Sequence, residues 1–339
     1  MLLTLEELRS IACGAVNVRE EGDGFHFYRF TDAQMDMYKA HSAEFFIKAQ
    51  ASANIRLSFT TDSEYLDLAA TLSTGSSRTF FSFDVYVNGK PLDYLDNYSH
   101  EALPENYPSK PYALGRHEKH FDLGPGEKSV TVYFPWSVTP VIESVALAEG
   151  ASLKPLRPQG KMIIFGDSIT HGYDAQAPSQ SYANRVSFQT DSEAVNLAIG
   201  GACFAADCLD ESIDYRPDMI VVAYGTNDWR KKPAEACFAG CRAFFDKLCK
   251  IYPDKPIFYI LPIWRHRGCE TPEQTESFWL SRNLFKHIAS GYKNIKIIDL
   301  WEEIPRDLSL FSDGLHPNSE GFAYYANGVI KHLNFEDKE

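Results

Sequence analysis

The chain changes its hydrophobic rhythm halfway along, and that change limits the folds open to it. Before about residue 148 the apolar residues alternate with polar ones. Ile55-Arg56-Leu57-Ser58-Phe59-Thr60 does so, as do Phe81-Ser82-Phe83-Asp84-Val85-Tyr86-Val87, Val130-Thr131-Val132-Tyr133-Phe134 and the run from Val141 to Leu147. Period-two alternation gives a strand one buried and one solvated face, which suits antiparallel sheets. Asn88-Gly89 follows the second run and marks a tight hairpin turn with positive φ. Residues 20 to 148 are therefore expected to be strands of an antiparallel β-sandwich, with Asp93 to His117, rich in Tyr, Pro and Asn, as a long surface loop. The opening Met1–Leu8 reads as a short amphipathic helix.

After a connector at 151–159 containing Pro155 and Pro158, the apolar residues come in unbroken runs: Met162–Phe165, Ala194–Ile199, Met219–Tyr224, Ile257–Leu261 and Ile295–Leu300. Unbroken runs indicate strands covered on both faces, hence a five-stranded parallel sheet between helices. Ala234–Ile251, Glu273–Ser290 and about Asn318–His332 carry helical spacing. The expected organisation is a sandwich over 1–150, a linker over 151–159 and a three-layer α/β domain over 160–339. The length of 339 residues agrees, at roughly 150 residues per domain.

Composition removes several functions. A formal charge of −13 without a basic stripe opposes nucleic-acid binding and anionic membrane surfaces. No apolar run approaches the roughly 20 residues that span a bilayer, and the N-terminus lacks a basic, apolar leader pattern. Seven cysteines, an odd number, suit free thiols in a reducing cytoplasm. Cys237 and Cys241, one helical turn apart, read as buried thiols rather than as a metal or redox pair. No His-Glu-x-x-His, Gly-x-Gly-x-x-Gly or Walker loop occurs, so neither a catalytic metal nor a nucleotide cofactor is indicated.

In open parallel sheets, ligands bind at the carboxyl ends of the strands. Three polar segments fall there: Gly166-Asp167-Ser168, Gly200-Gly201-Ala202 and Gly225-Thr226-Asn227-Asp228. Near the end of the chain, Asp313-Gly314-Leu315-His316 adds a histidine with a carboxylate three residues before it. A serine hydroxyl needs a base to take its proton and a group to orient that base, and these segments supply all three types. His171, three residues after Ser168, is a rival base, but no carboxylate is placed to orient it.

Together these segments resemble, in order and spacing, the GDSL or SGNH hydrolase superfamily, with Ile169 standing where the first block usually has Leu. The resemblance implies Ser168 as nucleophile, His316 as general base and acid, and Asp313 as its orienting carboxylate. It also implies an oxyanion hole built from the backbone N–H groups of Ser168 and Gly201 and the side-chain amide of Asn227. Thr170 replaces the second glycine of a Gly-x-Ser-x-Gly elbow, which argues against the α/β-hydrolase fold.

A sandwich followed by such a domain also resembles the bimodular carbohydrate acetyl-esterases and the SGNH acyltransferases or esterases with an N-terminal jelly roll, which implies a jelly-roll-like antiparallel β-sandwich in the first half. This implies a serine esterase removing a short acyl group, foremost acetyl, from a small-molecule or oligosaccharide ester. Acyltransferases, lipid- or thioester-directed GDSL esterases and a silent carbohydrate-binding protein share the resemblance. Tyr173, Tyr182, Trp229, Trp264 and Trp136 are candidates for stacking on a sugar, each with packing as the alternative. Arg265, His266 and Arg267 are either polar substrate contacts or a solvated loop.

Overall fold

The computed structural model describes residues 1–98, 106–231 and 234–333, without the side chains of Arg230 and Lys231. The first half forms two antiparallel sheets. One runs Ala12–Cys13, Arg56–Thr61, Lys128–Tyr133, Ser82–Val87, Lys90–Asp96 in spatial order. The other runs Asn17–Glu21, Gly24–Tyr28, Val138–Leu147, Tyr65–Thr74, Gly115–Asp122. Leu57, Phe59, Phe83 and Val132 of the first sheet and Leu66, Leu68, Phe121 and Ile142 of the second share one buried core, as alternation requires. The expected hairpin turn is present, with φ of 50° at Asn88 and 74° at Gly89.

The expectation of strands throughout 20–148 fails at two helices, Asp32–His41 and Ala43–Ala49. Thr31 and Gln34 form a reciprocal capping box that starts the first, a short-range signal that alternation does not read. This helical pair belongs to the other half's core: Phe30, Tyr38 and Ala49 pack with Ile163, Val195 and Val222. The long-loop expectation for 93–117 is also corrected. A strand continues to Asp96, a 3-10 turn spans Tyr107–Ser109 and a strand resumes at Gly115, while 99–105 lie outside the described residues. The N-terminal helix sits at Leu5–Ile11, capped by Thr4. The connector is partly sheet, since Lys154–Pro155 pairs with Thr60 and Phe59.

The second half is a parallel sheet of β1 (Gly160–Gly166), β2 (Ser192–Asn196), β3 (Met219–Ala223), β4 (Ile257–Ile260) and β5 (Ile295–Ile298), in the order β2-β1-β3-β4-β5. Helices Ala234–Ile251, Pro272–Ala289 and Ser319–Leu333 lie within a residue of their expected positions. They cover the two faces with two separate apolar clusters. Phe244 and Phe285 belong to one, Phe322 and Val329 to the other. The strand order reverses direction between β1 and β3, and a crevice forms at such a switch point.

Candidate active site

Ser168 stands in that crevice because of how β1 ends. Asp167 follows the strand and caps the short helix Ser168–His171, its Oδ1 accepting from the Ile169 N–H at 3.0 Å. The helix therefore begins at Ser168, with its hydroxyl at the mouth of the sheet. Burial pushes the Asp167 carboxyl up to about 7. The Ile169 bond and His316 oppose that rise, and the charge of Asp228 adds to it.

The loop Asp313–His316 folds into a turn that presents both remaining groups. Asp313 Oδ1 accepts from the backbone N–H of Leu315 at 3.0 Å and of His316 at 2.9 Å. Its Oδ2 lies 2.9 Å from His316 Nδ1, and His316 Nε2 lies 2.9 Å from Ser168 Oγ. A carboxylate can only accept, so Nδ1 carries the proton and Nε2 is free to accept from the serine hydroxyl. Burial alone would raise the Asp313 carboxyl. The bond and charge of His316, with Arg267 behind them, outweigh it and hold the group well below the usual carboxylate range. Arg267 Nη1 donates to Asp313 Oδ2 at 2.7 Å.

A second carboxylate lies beside the same imidazole. Asp174, fully buried and with φ of 69°, places Oδ2 3.6 Å from His316 Nδ1. Arg78, from the sandwich half, donates to both of its oxygens, at 2.8 Å from Nε and 3.1 Å from Nη2. The same guanidinium lies over the Tyr173 ring, which stacks on His316 with centroids 5.5 Å apart. Asp174, Asp313 and His316 are close enough to gather a cation, but guanidinium groups already hold the carboxylate oxygens. Neither Asp174 nor Arg78 is flagged by a sequence motif. Asp174 is a positive-φ residue six positions after the serine, and Arg78 is 96 positions from its partner.

The second block is held from behind by the first half of the chain. Arg29, fully buried, donates to the carbonyls of Ala51, Asn196, Ala198 and Lys48. Lys48 Nζ donates to the Gly200 carbonyl at 2.8 Å. Gly200 leaves no room for a Cβ, which would sit 2.5 Å from the Tyr173 hydroxyl oxygen, and Gly201 turns with φ of 87°. The third block is tied to the second by Asn227 Nδ2, which donates to the Ala202 carbonyl at 3.1 Å.

His171 is not a base here. Its Nδ1 accepts from the Gly200 N–H at 3.3 Å, so its Nε2 donates to the Trp136 carbonyl, 2.9 Å away. Burial, with Arg29 adding to it, pushes the ring well below its ordinary pKa, keeping it neutral.

The aromatic candidates divide. Trp136 is 3 % exposed, packs on Tyr173 and Phe80 and donates to the Ala175 carbonyl, so it fills the seam between the halves and offers no face to a sugar. Tyr182 is buried against Tyr325. Tyr173 spends its ring on His316 and Arg78. Trp229 and Trp264 are half-buried, held by Phe278 and Phe311 respectively. Arg265 is a brace, donating to the carbonyls of Thr226 and Arg267 beneath Trp229, while His266 is exposed. Next to Gly201 lies a cavity of about 260 Å³, lined by Ala202, Cys203, Tyr224 and, from the helical pair, Met37, Tyr38 and Phe45.

No curated protein matches the chain. Among solved structures, a salicylyl-acyltransferase, SsfX3, from a tetracycline biosynthetic pathway superposes with a TM-score of 0.75 at 20 % identity, covering 96 % of this chain and 95 % of that one. A GDSL-like lipase described from Bacteroides ovatus gives 0.76 at 18 %, covering 100 % and 99 %. A family two carbohydrate esterase from Clostridium thermocellum, in complex with cellohexaose, gives 0.60 at 14 %, covering 84 % and 92 %. These likenesses establish the two-part fold. Residues 164–324 match the GDSL-like lipase/acylhydrolase family, and their span holds Ser168, Asp313 and His316 alike. The segment 164–324 is thus similar to the GDSL-like lipase/acylhydrolase domain, and here it is joined to an antiparallel two-sheet domain.

Proposed function

We propose that the protein is a serine esterase that removes a short acyl group, acetyl foremost, from a carbohydrate. The observation that carries this reading is the unbroken hydrogen-bonded chain from Ser168 through His316 to Asp313. Ser168 Oγ attacks the ester carbonyl as its proton passes to His316 Nε2, and Asp313 stabilises the imidazolium so formed. The carbonyl oxygen becomes negative and is met by the N–H groups of Ser168 and Gly201 and the amide of Asn227. Collapse expels the sugar oxygen, which takes the proton from His316 and leaves an acyl-serine. Water, deprotonated by the same histidine, then releases the carboxylic acid.

A sugar hydroxyl is a polar leaving group, and the half-buried Trp229 and Trp264 are suited to stack on its ring. The seven cysteines are all free thiols, which supports a reducing, cytoplasmic location. Among the described residues no helix is long and apolar enough to cross a membrane.

Ser168→Ala should abolish hydrolysis of p-nitrophenyl acetate and labelling by a fluorophosphonate probe. Retained turnover would sink the mechanism. Acetate release from acetylated mono- and oligosaccharides then tests the substrate class.

The cavity beside Gly201 favours one further reading, a bulkier apolar acyl group. A series of p-nitrophenyl esters decides between them: kcat/KM falling from acetate to octanoate supports acetyl, and a rise supports the larger group.

A further inference from the structure

His316 is faced from several elements, and their charges do not simply add to Asp313. From its own turn comes Asp313, with Arg267 donating to it. From the serine helix come Ser168 and, more distantly, Asp167. From the segment after that helix come Tyr173, stacked on the ring, and Asp174 at 3.6 Å. From the sandwich comes Arg78, forked on Asp174 and 3.8 Å from Asp313 Oδ2. Tyr107 completes the surround, its hydroxyl donating to the Asp174 backbone carbonyl at 2.6 Å.

A fully buried carboxylate is costly unless paired, and one this close to an imidazole would hold a proton on it. Both oxygens of Asp174 are instead taken by one guanidinium, the geometry in which Arg pairs most firmly. The imidazole thus has one carboxylate bonded to it and a second beside it whose charge is cancelled. The cancelling group belongs to the other half of the chain.

We propose that Arg78 and Asp174 form a positioning pair through which the sandwich half sets the protonation of His316. With the pair intact, the Asp174 charge is held by Arg78 instead of being turned on the ring, whose Nε2 faces the Ser168 hydroxyl. Without Arg78, Asp174 favours the imidazolium, which cannot act as base. Arg78 also bears on Tyr173 and so fixes the plane on which the ring stacks. This assignment rests on the esterase reading only for its catalytic consequence, because the charge relationship holds whatever the substrate.

The test is an NMR titration of the His316 ring, its resonance identified by its loss in His316→Gln, alongside kcat/KM against pH with p-nitrophenyl acetate. Arg78→Gln should move the ring's titration and the acid limb of the rate profile up together, by about one pH unit or more. Asp174→Asn should move both down. The double variant should return near the parent, and Arg78→Lys, which keeps the charge, should move them little. Two unmoved single variants, or two moving in the same direction, would overturn the proposal. Should Arg78→Gln fail to fold, Asp174→Asn and Arg78→Lys still decide, since equal titrations in both would overturn it. A ring that titrates as expected beside an unmoved rate profile would count against His316 as the base, and not against the pair.

Discussion

The side-chain amide of Asn227 donates to the carbonyl oxygen of Ala202, 25 residues earlier, at 3.1 Å. That bond uses one of its two amide protons and fixes the direction of the other. A donor held in place before the reaction costs no reorganisation when charge develops on the substrate.

Asn227→Ala is therefore expected to lower kcat by about 10²–10³ while changing KM little. Steady-state kinetics with p-nitrophenyl acetate measure this. A loss falling wholly on KM would mean that Asn227 binds the ground state only.

Removing Asp313 should be less damaging than removing His316. In Asp313→Ala, Asp174 still lies near Nδ1 and can orient part of the histidine population. His316→Ala removes the base itself. We expect residual kcat/KM at least about tenfold higher in Asp313→Ala, since triad members contribute unequally. Equal losses would show that Asp174 cannot substitute.

Asp167 gives a pH-dependent stability. Its native carboxyl, raised to about 7 from 3.8, binds a proton more tightly than in the unfolded chain. Stability from this group is complete below about 3.8 and is lost as pH rises towards 7. Asp167→Asn, which retains a capping oxygen, should therefore gain at least about 1 kcal/mol more relative to the parent at pH 8 than at pH 5. Urea unfolding at the two pH values is the measurement, and an equal effect at both would contradict it.

Arg29→Leu leaves four carbonyls without their donor in a dry interior. A loss of about 3–5 kcal/mol is expected from urea denaturation. A loss below about 1 kcal/mol would mean that water replaces the guanidinium there.

What could be read in the sequence was what is local. Gly166-Asp167-Ser168, Gly225-Thr226-Asn227-Asp228 and Asp313–His316 each act within a few residues, as an end of a strand, a cap or a turn. Their side chains meet because the parallel strands end on one edge. Unbroken apolar runs also located β1 to β5, since strands buried on both faces leave no other pattern. The helices Asp32–His41 and Ala43–Ala49 escaped because they serve a core formed mostly by residues 120 or more positions later. Arg78 and Asp174 escaped for a similar reason: a salt bridge between distant segments has no spacing to detect. Trp136 was open to two readings, stacking on a sugar or packing, because aromatic content cannot distinguish an open ring from one closed into a seam.

The segment joining the halves, read from the sequence as a linker, is bonded at several of its residues. Lys154 and Pro155 extend a sheet, Leu156 N–H bonds the Ser58 carbonyl at 3.0 Å, and Arg157 donates to the Ala12 and Arg9 carbonyls. A tether fastened at these points restrains hinged opening of the two halves. Rearrangement of the side chains around Ser168, rather than a clamshell movement, is then the expected route of substrate entry.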